Sequence, residues 1–302
     1  LDSSYTLIKR GLELDKENAY LNYQMLGLWL RKDSVAPALP YAKKLVELRP
    51  ADGRYRRRLG MIYFRLDSLD ASEKIFREII EHGEGVAADY YFMGQIGLER
   101  KQYQLASQNF GRLVELEDTV ISNWTNLAFA FLQAKDTARA IATFRAGMTK
   151  VSDDSSRVRL WYSVGSIQER WGQFDSSTTT FQQLLTQWPE YAPALNYLGF
   201  MFADKGIKLD SAKELIDKAL KFEPDNAAYL DSYGWVLYRM NQFDPAIKYL
   251  ERAAEAVKDP VVFDHLGDAY YAKGDKKKAT VTWRKSLELD PANKSVKEKL
   301  ER

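Results

Sequence analysis

The chain has 302 residues, 45% of them hydrophobic and 13% aromatic, with 18 Tyr. Lys and Arg number 44 against 42 Asp and Glu, a net charge of +2 that leaves no overall field to gather nucleic acid or an anionic membrane. Cysteine is absent, which excludes disulfides, thiol nucleophiles and thiolate metal sites, and no run of about 18 apolar residues appears that could span a bilayer.

In chain order, residues 4–14 read as a lone helix. A small residue then recurs in L-G or near L-G pairs: Gly27, Gly60, Gly94, Ala128, Gly165, Gly199, Gly234 and Gly267, separated by 33, 34, 34, 37, 34, 35 and 33 residues. Around these positions the unit carries Trp124, Leu127, Ala128, Phe131, Ala140 and Phe144; Trp161, Val164, Gly165, Phe181 and Pro189; and Phe263, Leu266, Gly267, Tyr270, Ala279, Trp283 and Pro291. A 34-residue period with W-x2-L-G-x2-Y…A-x3-F…P resembles the tetratricopeptide repeat (TPR). The resemblance covers essentially the whole chain.

What the resemblance implies is an all-α, right-handed solenoid of about eight helix-turn-helix units forming one superhelical domain over residues 1–302. Residues 1–18 are a partial repeat, 19–292 hold eight repeats and 293–302 are a polar capping helix. In each unit the glycine of the first helix lets the second approach closely. Large residues at 3–4 spacing make one apolar face, and Ala106, Ala140 and Ala246 sit where the helices cross. Asp70, Asp175, Asp210 and Asp244 read as N-caps of second helices, Pro245 as a first helical position, and Pro50, Pro189, Pro224 and Pro291 as stops. The 37-residue spacing suggests a longer turn around 148–157, and Pro37 and Pro40 crowd the start of one second helix. The chain begins without Met and partway through a unit, which reads as a fragment.

In the family, first helices line a concave groove. Carried onto this chain, the groove candidates are Arg54, Arg57, Arg58 and Arg65 towards one end, Tyr91 and Tyr162 in the middle, and Asn196, Trp235, Tyr238, Asp264 and Asp268 towards the other. Arg pairs carboxylates in two-pronged fashion, and aromatics and Arg are enriched at binding hot spots. A partner segment with an acidic portion at Arg54–Arg65 and a basic or apolar portion at Trp235–Asp268 fits this pattern. The alternative is ordinary solvated charge on an exposed helix face. Trp124, Trp161 and Trp283 fall at packing positions, whereas Trp235 follows Gly234 on the groove side and is a candidate anchor.

No phosphate loop, G-x-S-x-G or H-E-x-x-H motif is present. His265 has no His or Cys at ligand spacing, so a surface or partner-binding role is expected and no metal site. No catalytic residues and no cofactor are expected. The function expected is a non-enzymatic scaffold or adaptor binding a protein or peptide partner. The alternatives are a non-catalytic region of a larger enzyme, or a structural subunit of a fixed complex. No nucleic acid, no membrane insertion and a possible homo-oligomer through the terminal repeats complete the list of partners. The stretch Asn196–Pro291 resembles bacterial multi-repeat proteins that are often exported or lipid-anchored. This implies a bacterial chain with a periplasmic or outer-membrane-associated location, or else a cytoplasmic one.

Overall fold

The computed structural model describes residues 2–301, and among them the regular elements are 18 helices and no strand. They fall into two compact units, Leu1–Val164 and Gly165–Arg302. The first holds α1 (Asp2–Leu14), α2 (Ala19–Arg31), α3 (Val35–Leu48), α4 (Gly53–Arg65), α5 (Leu69–Glu81), α6 (Ala87–Glu99), α7 (Tyr103–Leu116), α8 (Ile121–Gln133) and α9 (Thr137–Lys150). The division falls inside α10 (Asp154–Arg170). The second unit continues with α11 (Phe174–Gln187), α12 (Ala192–Lys205), α13 (Leu209–Phe222), α14 (Ala227–Arg239), α15 (Phe243–Ala256), α16 (Pro260–Lys273), α17 (Lys276–Leu289) and α18 (Lys294–Leu300).

From α1 to α9 and from α11 to α18 consecutive helices pack on one another, and even-numbered helices also touch: α4 with α6, α12 with α14, α14 with α16. Each unit thus has a first-helix face, built from even-numbered helices, and a second-helix face. The reason lies at the crossings. A Cβ on Gly94 would stand 2.4 Å from Phe110 Cε1, and one on Gly267 2.3 Å from Trp283 Cδ1. The helices approach until the aromatic of the second rests on bare backbone of the first. Ala106, Ala140 and Ala246 at the partner positions are fully buried. Where Ser replaces that Ala, its hydroxyl donates to the glycine carbonyl, Ser72 Oγ to Gly60 O at 2.9 Å and Ser177 Oγ to Gly165 O at 2.8 Å. The polar substitution is thereby satisfied inside the crossing.

The turn inside each pair places a residue in left-handed conformation at a recurring position, Asp33, Asp67, Lys101, Lys135, Gly172, Gly206, Asn241 and Gly274, and the α12–α13 turn adds a second, Lys208. The recurring positions follow the same period as the signature glycines, so the turn geometry repeats even where glycine does not supply it.

Three expectations are corrected. Asp70, Asp175, Asp210 and Asp244 are not caps but second helical residues, because α5, α11, α13 and α15 start one residue earlier, at Leu69, Phe174, Leu209 and Phe243. Their carboxylates complement the positive end of the helix dipole. Pro245 is accordingly the third helical residue, still within the turn whose N–H groups have no helical acceptor. The 37-residue spacing does not lengthen a turn: it extends α10 to 17 residues, with Asp153 Oδ1 accepting from Ser156 N at 2.7 Å at its start. Trp124 and Trp283 are buried as expected, but Trp161 is half-buried.

Candidate functional site

In the first unit the arginines of α4 are held by neighbours roughly one period away or nearer. Arg57 Nε lies 3.0 and 2.9 Å from the two oxygens of Asp89, a carboxylate with no exposed surface. Asp89 also accepts from Val86 N at 2.9 Å, closing the start of α6. The Arg58 guanidinium sits over the Tyr23 ring at 5.2 Å. Arg65 pairs with Asp33, and Arg54 with Asp52, the N-cap of its own helix. The run that reads in sequence as a free basic patch is therefore largely neutralised within the first-helix face. Tyr91 is partly exposed, its ring 5.4 Å from Phe92 and 6.5 Å from Phe110, and Tyr162 is half-buried on α10.

The second unit gathers the remaining candidates. Trp235 of α14 stacks on His265 of α16, with ring centroids 4.1 Å apart, and on Tyr238 at 4.9 Å. Arg239 lies over the same indole at 5.7 Å. His265 Nδ1 is 3.0 Å from Asp231 Oδ1, and both side chains are largely buried. Asp264 and Asp268, expected to face a partner, are instead joined by Lys299 of α18, whose Nζ donates at 2.7 and 2.8 Å. Asp268 also accepts from Trp283 Nε1 at 3.2 Å. α18 thus supplies the cation that this acidic pair calls for. His265, expected in a surface or partner-binding role, is largely buried and pairs with Asp231.

Two polar atoms in this face are left over. Asn196 Oδ1 and Trp235 Nε1 are buried and have no hydrogen-bond partner. A cavity of about 570 Å³ lies against Asn196 and Phe200 of α12, Asp231 of α14, and Val257, Asp259 and Val261 at the start of α16. Its walls include the exposed apolar side chains Val257 and Val261, and no Lys or Arg lines it.

Sequence reasoning overlooked Lys299 and the buried role of His265. The signal was there: positions 231, 265 and 299 are successive steps of 34, so one column carries Asp, His and Lys on adjacent first helices.

The electrostatics of this column are set by burial and by the acids around it. Burial opposes a charged His265 imidazole, but the carboxylate of Asp231, with Asp264 and Asp268 behind it, outweighs that and raises its pKa above the usual 6.5. Burial pushes the Asp268 carboxyl up, while the Lys299 ammonium opposes that shift. Burial also opposes the charged Lys299, yet its hydrogen bonds to Asp264 and Asp268 prevail and raise its pKa. A histidine whose folded pKa is raised contributes stability that is complete below the unfolded value of about 6.5 and is lost as pH rises through the folded one. The His265 ring resonances are therefore expected to titrate with a midpoint above 6.5 in an NMR titration. His265→Asn should remove the matching loss of stability on raising pH. A midpoint below 6.5 would contradict the Asp231 pairing.

Among the described residues no group of three or more His, Asp or Glu is placed to hold a metal ion, and no helix is long and apolar enough to cross a membrane.

Comparison with known proteins agrees with this architecture. Family models of the tetratricopeptide repeat match residues 31–87 and 262–293. A TPR repeat-containing protein of Pseudomonas aeruginosa is 32% identical over 130 residues, 43% of this chain and 22% of the relative. Another from Methanocaldococcus jannaschii is 26% identical over 147 residues, 46% of this chain and 24% of the relative. The chain therefore spans less than a quarter of the length of these curated relatives. Among solved structures, the C-terminal part of a TPR repeat-containing protein from Cytophaga hutchinsonii aligns with a TM-score of 0.56 at 18% identity, covering 91% of this chain and 98% of that one. The Cut9–Hcn1 hetero-tetramer of the APC/C aligns with a TM-score of 0.58 at 16% identity, covering 97% and 56%. At these identities the likeness is one of fold. Helix pairs closed on small residues at a 34-residue period define a helical-repeat protein of the kind that binds other proteins. The chain carries tetratricopeptide-repeat sequence over the matched residues 31–87 and 262–293, and its fold is that of tetratricopeptide-repeat structures.

Proposed function

We propose that this chain is a non-catalytic interaction module that holds a segment of a partner protein on the first-helix face of its second unit, across α12, α14 and α16. The observation that carries this reading is the cavity against Asn196, Phe200, Asp231 and Val261. It combines exposed apolar walls with acceptors, including the unpartnered Asn196 Oδ1, and has no cation of its own. A segment with apolar and basic side chains complements it: the apolar groups bury Val257 and Val261, and a donor meets Asn196 and Asp259. The opposite end of the sequence-level expectation, an acidic portion at Arg54–Arg65, is less supported, since those arginines are engaged within their own unit. TPR repeats in general are protein-interaction modules, and the Cut9–Hcn1 neighbour is a subunit assembly, which is in keeping with a binding role. The Pseudomonas relative is in keeping with a bacterial chain.

Site-specific photo-crosslinking tests this. A photoreactive residue at Val261 or Phe200 should yield discrete protein adducts in cells of the source organism, whereas one at Lys218 of α13, on the second-helix face, should not. Asn196→Ala with Val261→Glu should abolish the adduct formed from Phe200. Adducts confined to Lys218 would move the binding surface and favour a structural subunit held through its other face.

A further inference from the structure

A second cavity, of about 720 Å³, opens on the other side of the same unit, among α15, α16 and α17. Its volume falls within the roughly 300–1,000 Å³ range of ligand and side-chain pockets. Leu266, Ala254 and Phe263 form an apolar floor, and Val281 stands on the wall with 51% of its surface exposed. Such a side chain is costly to leave in water when it borders an already apolar hollow.

The rim carries Lys258, Lys277, Lys278 and Lys285. Three other lysines of this unit pair with carboxylates: Lys221 with Asp217, Lys273 with Asp244, and Lys299 with Asp264 and Asp268. None of the four rim lysines has a carboxylate partner among the described residues. Instead Lys278 lies over the Tyr270 ring at 5.1 Å and Lys285 over Phe263 at 5.7 Å, so two ammoniums are steered to the mouth of the hollow by aromatic faces. Of the three carboxylates present, Glu251 accepts the Tyr270 hydroxyl and Asp275 caps α17 through Lys278 N at 3.0 Å. Both are thus engaged by donors of the protein. Both keep their charge, so the lining holds four lysines against three carboxylates, and Glu255 is the carboxylate left to face the lysines without a hydrogen-bond donor among the described residues.

We infer that this second-helix cavity is a docking site for a protein segment in which acidic residues flank a large apolar side chain. The apolar group enters over Leu266, Phe263 and Val281, and the carboxylates meet Lys258, Lys277, Lys278 and Lys285. The site is separate from the first-helix face and stands or falls independently of the function proposed above. An extended anionic surface such as a membrane is a poorer match, because the lysines surround a hollow with acids among them and do not form an open basic plane.

The test is fluorescence anisotropy with a labelled peptide alternating Glu and Leu, added to the full chain. Wild type should bind it saturably. Lys277→Glu with Lys285→Glu, both exposed positions that leave the core untouched, should weaken binding at least about tenfold, as expected for charges at a recognition site. Val281→Asp should do the same through the apolar wall, and binding should fall with added salt. A peptide alternating Lys and Leu, one alternating Glu and Ser, and phosphatidylserine vesicles should bind far more weakly. The proposal is overturned by absent binding, by equal affinity for wild type and the lysine variant, by preference for the Lys–Leu peptide or vesicles, or by loss of binding only in Val261→Glu. The last result would place the peptide on the opposite face.

Discussion

Replacing Arg57 with Met is expected to destabilise the first unit by about 3 kcal/mol or more, since breaking a buried pair strands an uncompensated charge. Asp89 has no exposed surface, and among the described residues Arg57 is its only cationic partner, at 2.9 and 3.0 Å. The carboxylate cannot turn to water, because it also accepts from Val86 N and so holds the first turn of α6. Changing Asp89 to Asn keeps an acceptor for Val86 while removing the charge, so R57M/D89N should be more stable than R57M alone. Urea denaturation followed by circular dichroism, with amide exchange across α4 and α6, measures both. If R57M unfolds at the wild-type midpoint, the pair is no determinant of the fold.

The second large effect concerns the helix crossings. Gly94→Ala places a Cβ 2.4 Å from Phe110 Cε1, and Phe110 is fully buried, so its ring has nowhere to retreat. Overpacking of this kind costs about 1–3 kcal/mol. Phe110→Ala leaves the opposite defect, a cavity, costing about 3–5 kcal/mol. Because the two residues share one contact, the double variant Gly94→Ala/Phe110→Ala should lose less than the two single changes together. Thermal denaturation of the four proteins closes the cycle, and strict additivity would show that the crossing does not depend on this contact. Gly97 extends the argument: a Cβ there would meet the backbone N of Ala106 at 2.8 Å, which cannot move aside as a side chain can. Its role lies outside the repeat pattern, one turn beyond Gly94.

What could be read in the sequence was whatever repeats locally. The glycines, the buried alanines and the terminating prolines sit at fixed offsets within each unit, so the period alone exposes them. The cap assignments missed by two residues, the caps being Ser68, Gln173, Lys208 and Gln242, because an acidic residue near a helix start satisfies the dipole at the second helical position as well as at the cap. The extra residues before Arg159 were read as a turn because length alone does not say whether a helix or its connection absorbs them.

The candidate site was legible in its members and not in their bonds. Trp235, Tyr238, Asp264, Asp268 and Asn196 do assemble on one face of the second unit. Arg57, Arg65, Asp264 and Asp268 looked free because their partners Asp89, Asp33 and Lys299 lie 31 to 35 residues away, beyond any window of local pattern. The sequence by itself determined that this is a helical-repeat chain of the tetratricopeptide kind, because a single unit cannot bury its apolar face and the recurring small residues dictate how neighbours close on it. Only the tertiary structure decided which charges are spent and which remain. Stacking brings first helices against one another, and there alone do Asp231 and His265 pair and Lys299 bridge its two acids, while among the described residues Asn196 Oδ1 and Trp235 Nε1 keep no hydrogen-bond partner and the rim lysines of α17 no carboxylate.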